Sequence, residues 1–214
     1  MRRLILPALT LPGLVLLLVL GLWSGTPSAS RTAGPAPTGG TVLLIGDSIA
    51  QSIAEEARAD LEAEGRTVVT QGVGGTGLTH GSPAWQLGAT FDWQQRLAEL
   101  DATYDPEVVI IVLGTNDVFA VAAGEDYAPH VSRLVSATDA PTVYWADIAS
   151  HTADEMRNAG ATAINTAIAT HEREGYSVVP YDETVSTAVE NMDRDGLHLS
   201  ATGQSAFSSL LASE

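Results

Sequence analysis

Apolar and polar positions change period repeatedly along the chain from Thr41 onward. Thr41–Gly46 is a short, nearly unbroken apolar run, the pattern of a strand buried on both faces. Ile49, Ile53, Ala57 and Leu61 follow at helical spacing, which predicts a helix over Ile49–Glu64 that Gly65 ends. Thr67–Gln71 reads as a second strand, and a glycine-rich loop runs from Gly72 to Gly81. Phe91–Leu100 reads as a helix, and Glu107–Leu113, a run of Val and Ile, as the strongest strand. Tyr127–Thr138 is helical, Thr142–Asp147 a fourth strand, Ala153–Glu174 a long helix and Ser177–Tyr181 a fifth strand. Ser200–Ser213 closes the chain as a helix with Ser200 as its N-cap. Repeated strand–helix alternation with continuous apolar strands implies an α/β fold, a five-stranded parallel sheet covered by helices on both faces. No internal repeat and no second domain is evident.

The first 40 residues break this pattern. Met1-Arg2-Arg3 is a short basic start, Leu14–Trp23 is an unbroken apolar run, and apolar residues reach back to Leu4. Ser28 and Ser30 stand at −3 and −1 of a cleavage site after Ser30, as in a secretory signal peptide. The alternative is an uncleaved anchor, since Leu4–Trp23 is just long enough to span a bilayer, although Pro7, Pro12 and Gly13 weaken it as a helix. Either way the two arginines stay inside and the rest is extracytoplasmic, secreted or held at the outer face of the membrane. Residues 1–30 are thus expected to be a signal peptide or anchor, residues 31–40 a Pro/Gly/Thr/Ala linker, and 41–214 the folded domain.

Composition narrows the chemistry. The chain of 214 residues carries 26 acidic and 10 basic side chains, a net charge of −16, and no cysteine. Without the leader, eight basic residues face 26 acidic ones, a net of −18. Such a balance argues against nucleic acid, which needs clustered cations, and favours a soluble, self-repelling monomer. The lack of cysteine excludes a disulfide scaffold, Cys-ligated zinc and a thiol nucleophile.

In a parallel sheet, ligands sit at the carboxyl ends of the strands. The segments that fall there are Gly46-Asp47-Ser48-Ile49, Gly72-Val73-Gly74-Gly75-Thr76-Gly77, Gly114-Thr115-Asn116-Asp117 and Asp147-Ile148, with Asp195-Gly196-Leu197-His198 just before the last helix. A serine alcohol needs a base to become a nucleophile. Ser48 has one in His198, and Asp195, three residues earlier, can hold the imidazole from the same turn. A developing oxyanion needs donors, and the candidates are the backbone N–H of Ser48, the N–H of Gly75 or Gly74, and the side-chain amide of Asn116. Taken singly, each of these residues is a common cap or turn residue; the information lies in their joint, ordered presence.

That ordered set resembles the SGNH hydrolases, the GDSL-type lipase and esterase family, from about Thr41 to the C-terminus. Gly46-Asp47-Ser48-Ile49 is similar to the first block, with Ile for the usual Leu. The Gly72–Gly75 glycines, Gly114–Asp117 and Asp195–His198 are similar to the remaining blocks. The resemblance implies a flavodoxin-like three-layer α/β/α sandwich and ester hydrolysis through an acyl-serine. It assigns Ser48, Asp195 and His198 as catalytic and Ser48, Gly75 and Asn116 as the oxyanion hole. It implies no cofactor and no metal.

Other signals are weaker. Gly72-x-Gly74-x-x-Gly77 fits a dinucleotide fingerprint, but it follows the second strand, and Pro83 falls where the binding helix would run. Asn191-x-Asp193-x-Asp195-Gly196 has the start of a calcium loop but Thr202 at its twelfth position. His80, His130, His151 and His171 show no ligand-like spacing. His80, Trp85, Phe91 and Trp93 could line an acyl or sugar pocket, or could pack the glycine loop onto the sheet. The expected substrate is a small-molecule, glycan or lipid ester with a short acyl chain. Acyl transfer to a cell-surface glycan and non-catalytic binding of such an ester are the alternatives.

Overall fold

The computed structural model describes residues 39–86 and 91–214. The expected leader and linker, apart from Gly39 and Gly40, lie outside the described residues. Five strands form one parallel sheet: β1 (Thr41–Gly46), β2 (Thr67–Gly72), β3 (Val108–Val112), β4 (Thr142–Ala146) and β5 (Tyr176–Val179), in the order β2-β1-β3-β4-β5. The helices are α1 (Ser48–Ala63), α2 (Pro83–Gln86), α3 (Trp93–Tyr104), α4 (Val118–Ala122), α5 (Ala128–Val135), α6 (Glu155–Ala169) and α7 (Ala201–Ala212). A π-helical turn at Asp182–Ser186 and a 3₁₀ turn at Val189–Asn191 follow β5.

Period-2 alternation decides which side chain enters which layer. From β1, Leu43 and Ile45 join a core with Trp93 and Leu97 of α3, Val131 and Leu134 of α5, and Ile164 and Ile168 of α6. Val42 and Leu44 point to the other face, where Ile53, Ala57 and Leu61 of α1 pack with Phe207 and Leu211 of α7. This is the three-layer α/β/α sandwich expected from the apolar runs. The chain steps outward from β1 to β2 and then returns to β3 on the other side of β1. That reversal opens a crevice at the carboxyl ends of β1 and β3, where ligands of such sheets bind.

Two of the helices are clearly shorter than the periodicity suggests. The stretch expected as helix over Ala153–Glu174 is helical only over Glu155–Ala169, because Asp154 caps its start by accepting the N–H of Met156 and Arg157. Tyr127–Thr138 narrows to Ala128–Val135. Ser200 caps α7 by accepting the Gly203 N–H at 3.2 Å, as its position predicts.

Candidate active site

The turn from β1 into α1 is built by Asp47. Its carboxylate accepts the Ile49 N–H at 2.9 Å, which caps the helix and leaves Ser48 as the first helical residue. The Ser48 side chain backs onto Gly74: a Cβ on that glycine would stand 3.8 Å from the Ser48 Cβ. The next residue, Gly75, turns the loop with φ +75°, a left-handed conformation that glycine adopts freely.

The far end of the chain delivers the base. Ser48 Oγ lies 3.1 Å from His198 Nε2, across 150 sequence positions. On the other side of the ring, His198 Nδ1 is 2.6 Å from Asp195 Oδ2. An ionised carboxylate only accepts, so Nδ1 carries the proton and Nε2 is left to accept from the serine hydroxyl. Asp195 is held ionised: bonds from the imidazole and the His198 N–H bring its carboxyl down to about 2. Its Oδ1 accepts the backbone N–H of Leu197 and of His198, both at 2.9 Å, so one turn fixes acid and base together. The turn is closed by Asp193 N–H donating to His198 O at 2.7 Å and by a bridge between Met192 and Leu199.

Asn116 enters from the turn after β3. Its amide donates to Thr76 O at 2.8 Å and stands 3.5 Å from Asp47 Oδ2, the outer limit of a hydrogen bond. One N–H is therefore firmly used to fix the amide, and the other is weakly held beside the residue that precedes Ser48.

Two buried carboxylates support this side, and the sequence patterns gave them no role. Asp117 accepts the N–H of Leu78 and Thr79 at 3.0 and 2.8 Å, the Thr79 hydroxyl at 2.8 Å and the Tyr127 hydroxyl at 3.1 Å. It staples the glycine loop to the Asn116 turn. A Cβ on Gly77 would come within 2.3 Å of that carboxylate, so the third glycine of the apparent dinucleotide motif makes room for Asp117. Burial raises the Asp117 carboxyl, and raises that of Asp47 to about 7, which limits negative charge beside Ser48. The only sequence signal for either was membership of the Gly-Asp-Ser and Asn-Asp blocks. Arg157 also reaches the site, with Nη2 3.2 Å from Thr115 O. It lies on a helix with no motif, and nothing in the sequence marks it.

The aromatic candidates separate from the Ser48 cluster. Trp93 is 1% exposed, packs in the core and donates from Nε1 to Thr76 Oγ1 at 3.0 Å, so it props the glycine loop from below. This burial fits the second role weighed for it, packing the glycine loop onto the sheet, although Trp93 also borders the hollow next to His80 and Trp85. His80 and Trp85 stack with ring centroids 4.1 Å apart and border a hollow of about 320 Å³ whose described lining does not include Ser48. Among the described residues, no cluster of three His, Asp or Glu side chains could hold a metal.

A parallel three-layer sandwich that carries a serine at the end of its first strand and an aspartate and histidine in the turn before its last helix has the fold of the SGNH hydrolases. The chain belongs to the GDSL-like lipase/acylhydrolase family, whose sequence profile matches residues 44–206. Solved structures with the same fold include TesA (21% identity, TM-score 0.56, covering 80% of this chain and 95% of that one). A family 3 carbohydrate esterase of Clostridium thermocellum is similar at 15% identity and TM-score 0.58, covering 81% and 93%. The C-terminal catalytic domain of the Streptococcus pneumoniae peptidoglycan O-acetyltransferase OatA is similar at 13% identity and TM-score 0.61, covering 84% and 93%. Among curated proteins, no sequence matches the chain.

Proposed function

We propose that the chain is an exported serine esterase that cleaves short acyl esters, such as acetyl esters of a carbohydrate, through an acyl-serine intermediate. The observation that carries this reading is the continuous relay from Ser48 Oγ through His198 to Asp195, at 3.1 and 2.6 Å. In the proposed reaction the Ser48 Oγ attacks the ester carbonyl while its proton passes to His198 Nε2. The oxyanion that forms is met by the N–H of Ser48, the N–H of Gly75 and the Asn116 amide. Collapse expels the alcohol, which takes the proton from His198. Water then attacks the acyl-serine with His198 again as base, releasing the carboxylic acid and restoring Ser48.

Short chains are favoured because the relay lies at the surface: the His198 and Asp195 side chains are 43% and 50% exposed. The carbohydrate esterase and O-acetyltransferase among the structural neighbours support an acetylated carbohydrate. Export rests on the basic and apolar pattern of the first 30 residues. Acyl transfer to an alcohol is the second reading, favoured by the O-acetyltransferase neighbour.

Labelling with a fluorophosphonate, followed by turnover of aryl esters from acetyl to palmitoyl, tests the reading. The expected result is covalent modification at Ser48 and best turnover on acetyl. Lack of labelling at Ser48 would reject the serine mechanism, and best turnover on long chains would reject the substrate class. Acyl transfer outcompeting hydrolysis when a sugar acceptor is added would favour the second reading.

A further inference from the structure

Helix α6 begins beside the crevice and sends one cation into it. Gly160 lies so close to α4 that a Cβ there would meet Val118 O at 1.9 Å, and this contact sets the register of α6 against the β3 turn. One turn nearer the start of α6, Arg157 is fixed by its N–H, which donates to the Asp154 cap at 3.1 Å. Its guanidinium runs under the Gly114–Asp117 turn and donates from Nη2 to Thr115 O at 3.2 Å. It is half-buried and lies within electrostatic reach of Asp154, Asp195 and Asp47. Its Nε is buried and has no hydrogen-bond partner among the described residues. Burying an unpaired N–H carries a cost, so this placement is not explained by hydrogen bonding alone.

The peptide that Arg157 holds is the one leading into Asn116. On the other side, Asn116 is pinned through Thr76 O at 2.8 Å, and the weak contact to Asp47 Oδ2 at 3.5 Å competes for its second N–H. Holding the Thr115 carbonyl fixes the backbone from which the amide projects.

We propose that Arg157 is a positioning residue that sets the Asn116 amide as an oxyanion donor. It acts on the transition state through Asn116 and touches no substrate itself. This inference rests on the serine-esterase reading above. Lysine in its place would keep the charge but lose the planar fork that reaches past Nε to the carbonyl. Methionine keeps most of the aliphatic stem and loses charge and donor together.

A double-mutant cycle tests the proposal. Arg157→Met in the otherwise unchanged chain should lower kcat on an acetyl ester about 10-fold, with KM within about twofold, the signature of lost transition-state stabilisation. Arg157→Lys should recover part of that loss. In an Asn116→Ala background the same Met substitution should change kcat by less than about twofold, because its target is gone. An equal factor in both backgrounds would overturn the proposal while leaving the esterase reading intact. Unchanged kcat in Arg157→Met alone would do the same. If Asn116→Ala by itself kept full kcat, the oxyanion assignment would fall, and this inference with it.

Discussion

The two sides of the crevice are built by opposite means. The wall around Asp47, Asn116, Asp117 and the Thr76–Thr79 loop is assembled from distant segments. The hydrogen bonds that join its segments to one another link residues 38 to 69 positions apart, and both of its aspartates are fully buried. The Asp195–His198 turn is local and half exposed: its carboxylate bonds to residues two and three positions away. The contrast appears in the charges. Burial pushes Asp47 up to about 7, whereas hydrogen bonds at the surface bring Asp195 down to about 2. The same residue type is thus set toward neutrality where a negative charge would repel an oxyanion, and toward ionisation where a histidine must be oriented. A wall made of buried, satisfied groups couples function to stability, while an exposed turn can fail without unfolding the protein.

The largest effect should come from cutting the contact that joins the two sides. Ser48→Ala and His198→Ala should each lower kcat by about 10⁴-fold or more, with little change in Tm, since neither supports the core. Asp195→Asn should cost no more than His198→Ala and should also leave Tm nearly unchanged. Steady-state kinetics and thermal melts on the same three samples check this, and a large Tm loss in the turn variants would break the contrast.

Asn116 lies on the wall but faces the reaction. Asn116→Ala should lower kcat by about 10²–10³-fold, roughly 3–4 kcal/mol, with little change in KM and Tm within a few degrees. Asn116→Asp should be at least as harmful, because a carboxylate offers no donor and repels the oxyanion. Retained kcat with lost stability in the Ala variant would show that Asn116 only shapes its turn.

Asp117 should show the coupling most directly. Asp117→Ala strands the Leu78 and Thr79 N–H groups and the Tyr127 hydroxyl, at about 1–3 kcal/mol for each group left unpaired. With roughly 2–4 °C per kcal/mol for a domain of this size, Tm should drop by at least about 5 °C, and kcat should fall with it as the glycine loop loosens. Melting curves and kinetics decide this together; a fall in kcat without a fall in Tm would separate the two functions of the wall.

The smallest effect concerns pH. A carboxyl whose folded pKa is raised holds its proton more tightly in the native state. Its contribution to stability is therefore full below the unfolded value and is lost as pH rises through the folded one. For Asp47 the window runs from about 4 to about 7. Asn is an equally good cap, so Asp47→Asn should keep α1 and remove this part of the decline. Between about pH 4 and pH 8, the Tm of the variant should fall less than that of the wild type, by a few degrees. Asp117, and Asp147 with its carboxyl raised by burial to about 6, keep the same sign in the variant, so the slope should shrink and not vanish. An unchanged slope would show that Asp47 is ionised in the folded protein throughout this range.

The strands were legible because burial on both faces leaves no polar position to interrupt them: Thr41–Gly46 is both the apolar run and the observed strand. Helix ends were less so: Thr170–Glu174 is wholly polar, and such a run extends the exposed face of a helix as readily as it forms the loop that follows α6. The five-residue α4 has too few positions to show a period, and the π-helical turn at Asp182–Ser186 matches no simple period. Ser48, Asn116, Asp195 and His198 stood out because chemistry restricts which residue types can stand in that order at the end of a strand or just before the last helix. The sequence by itself determined this order, the alternation of layers and the local Asp195–His198 turn, all of which depend on neighbours along the chain. Only the tertiary structure decided that Trp93 supports the loop from within the core, that Asp47 and Asp117 are buried carboxylates, and that Arg157 lies under the Asn116 turn. Burial and cross-chain hydrogen bonds are set by which segments the sheet brings together, and no spacing within one segment carries that information.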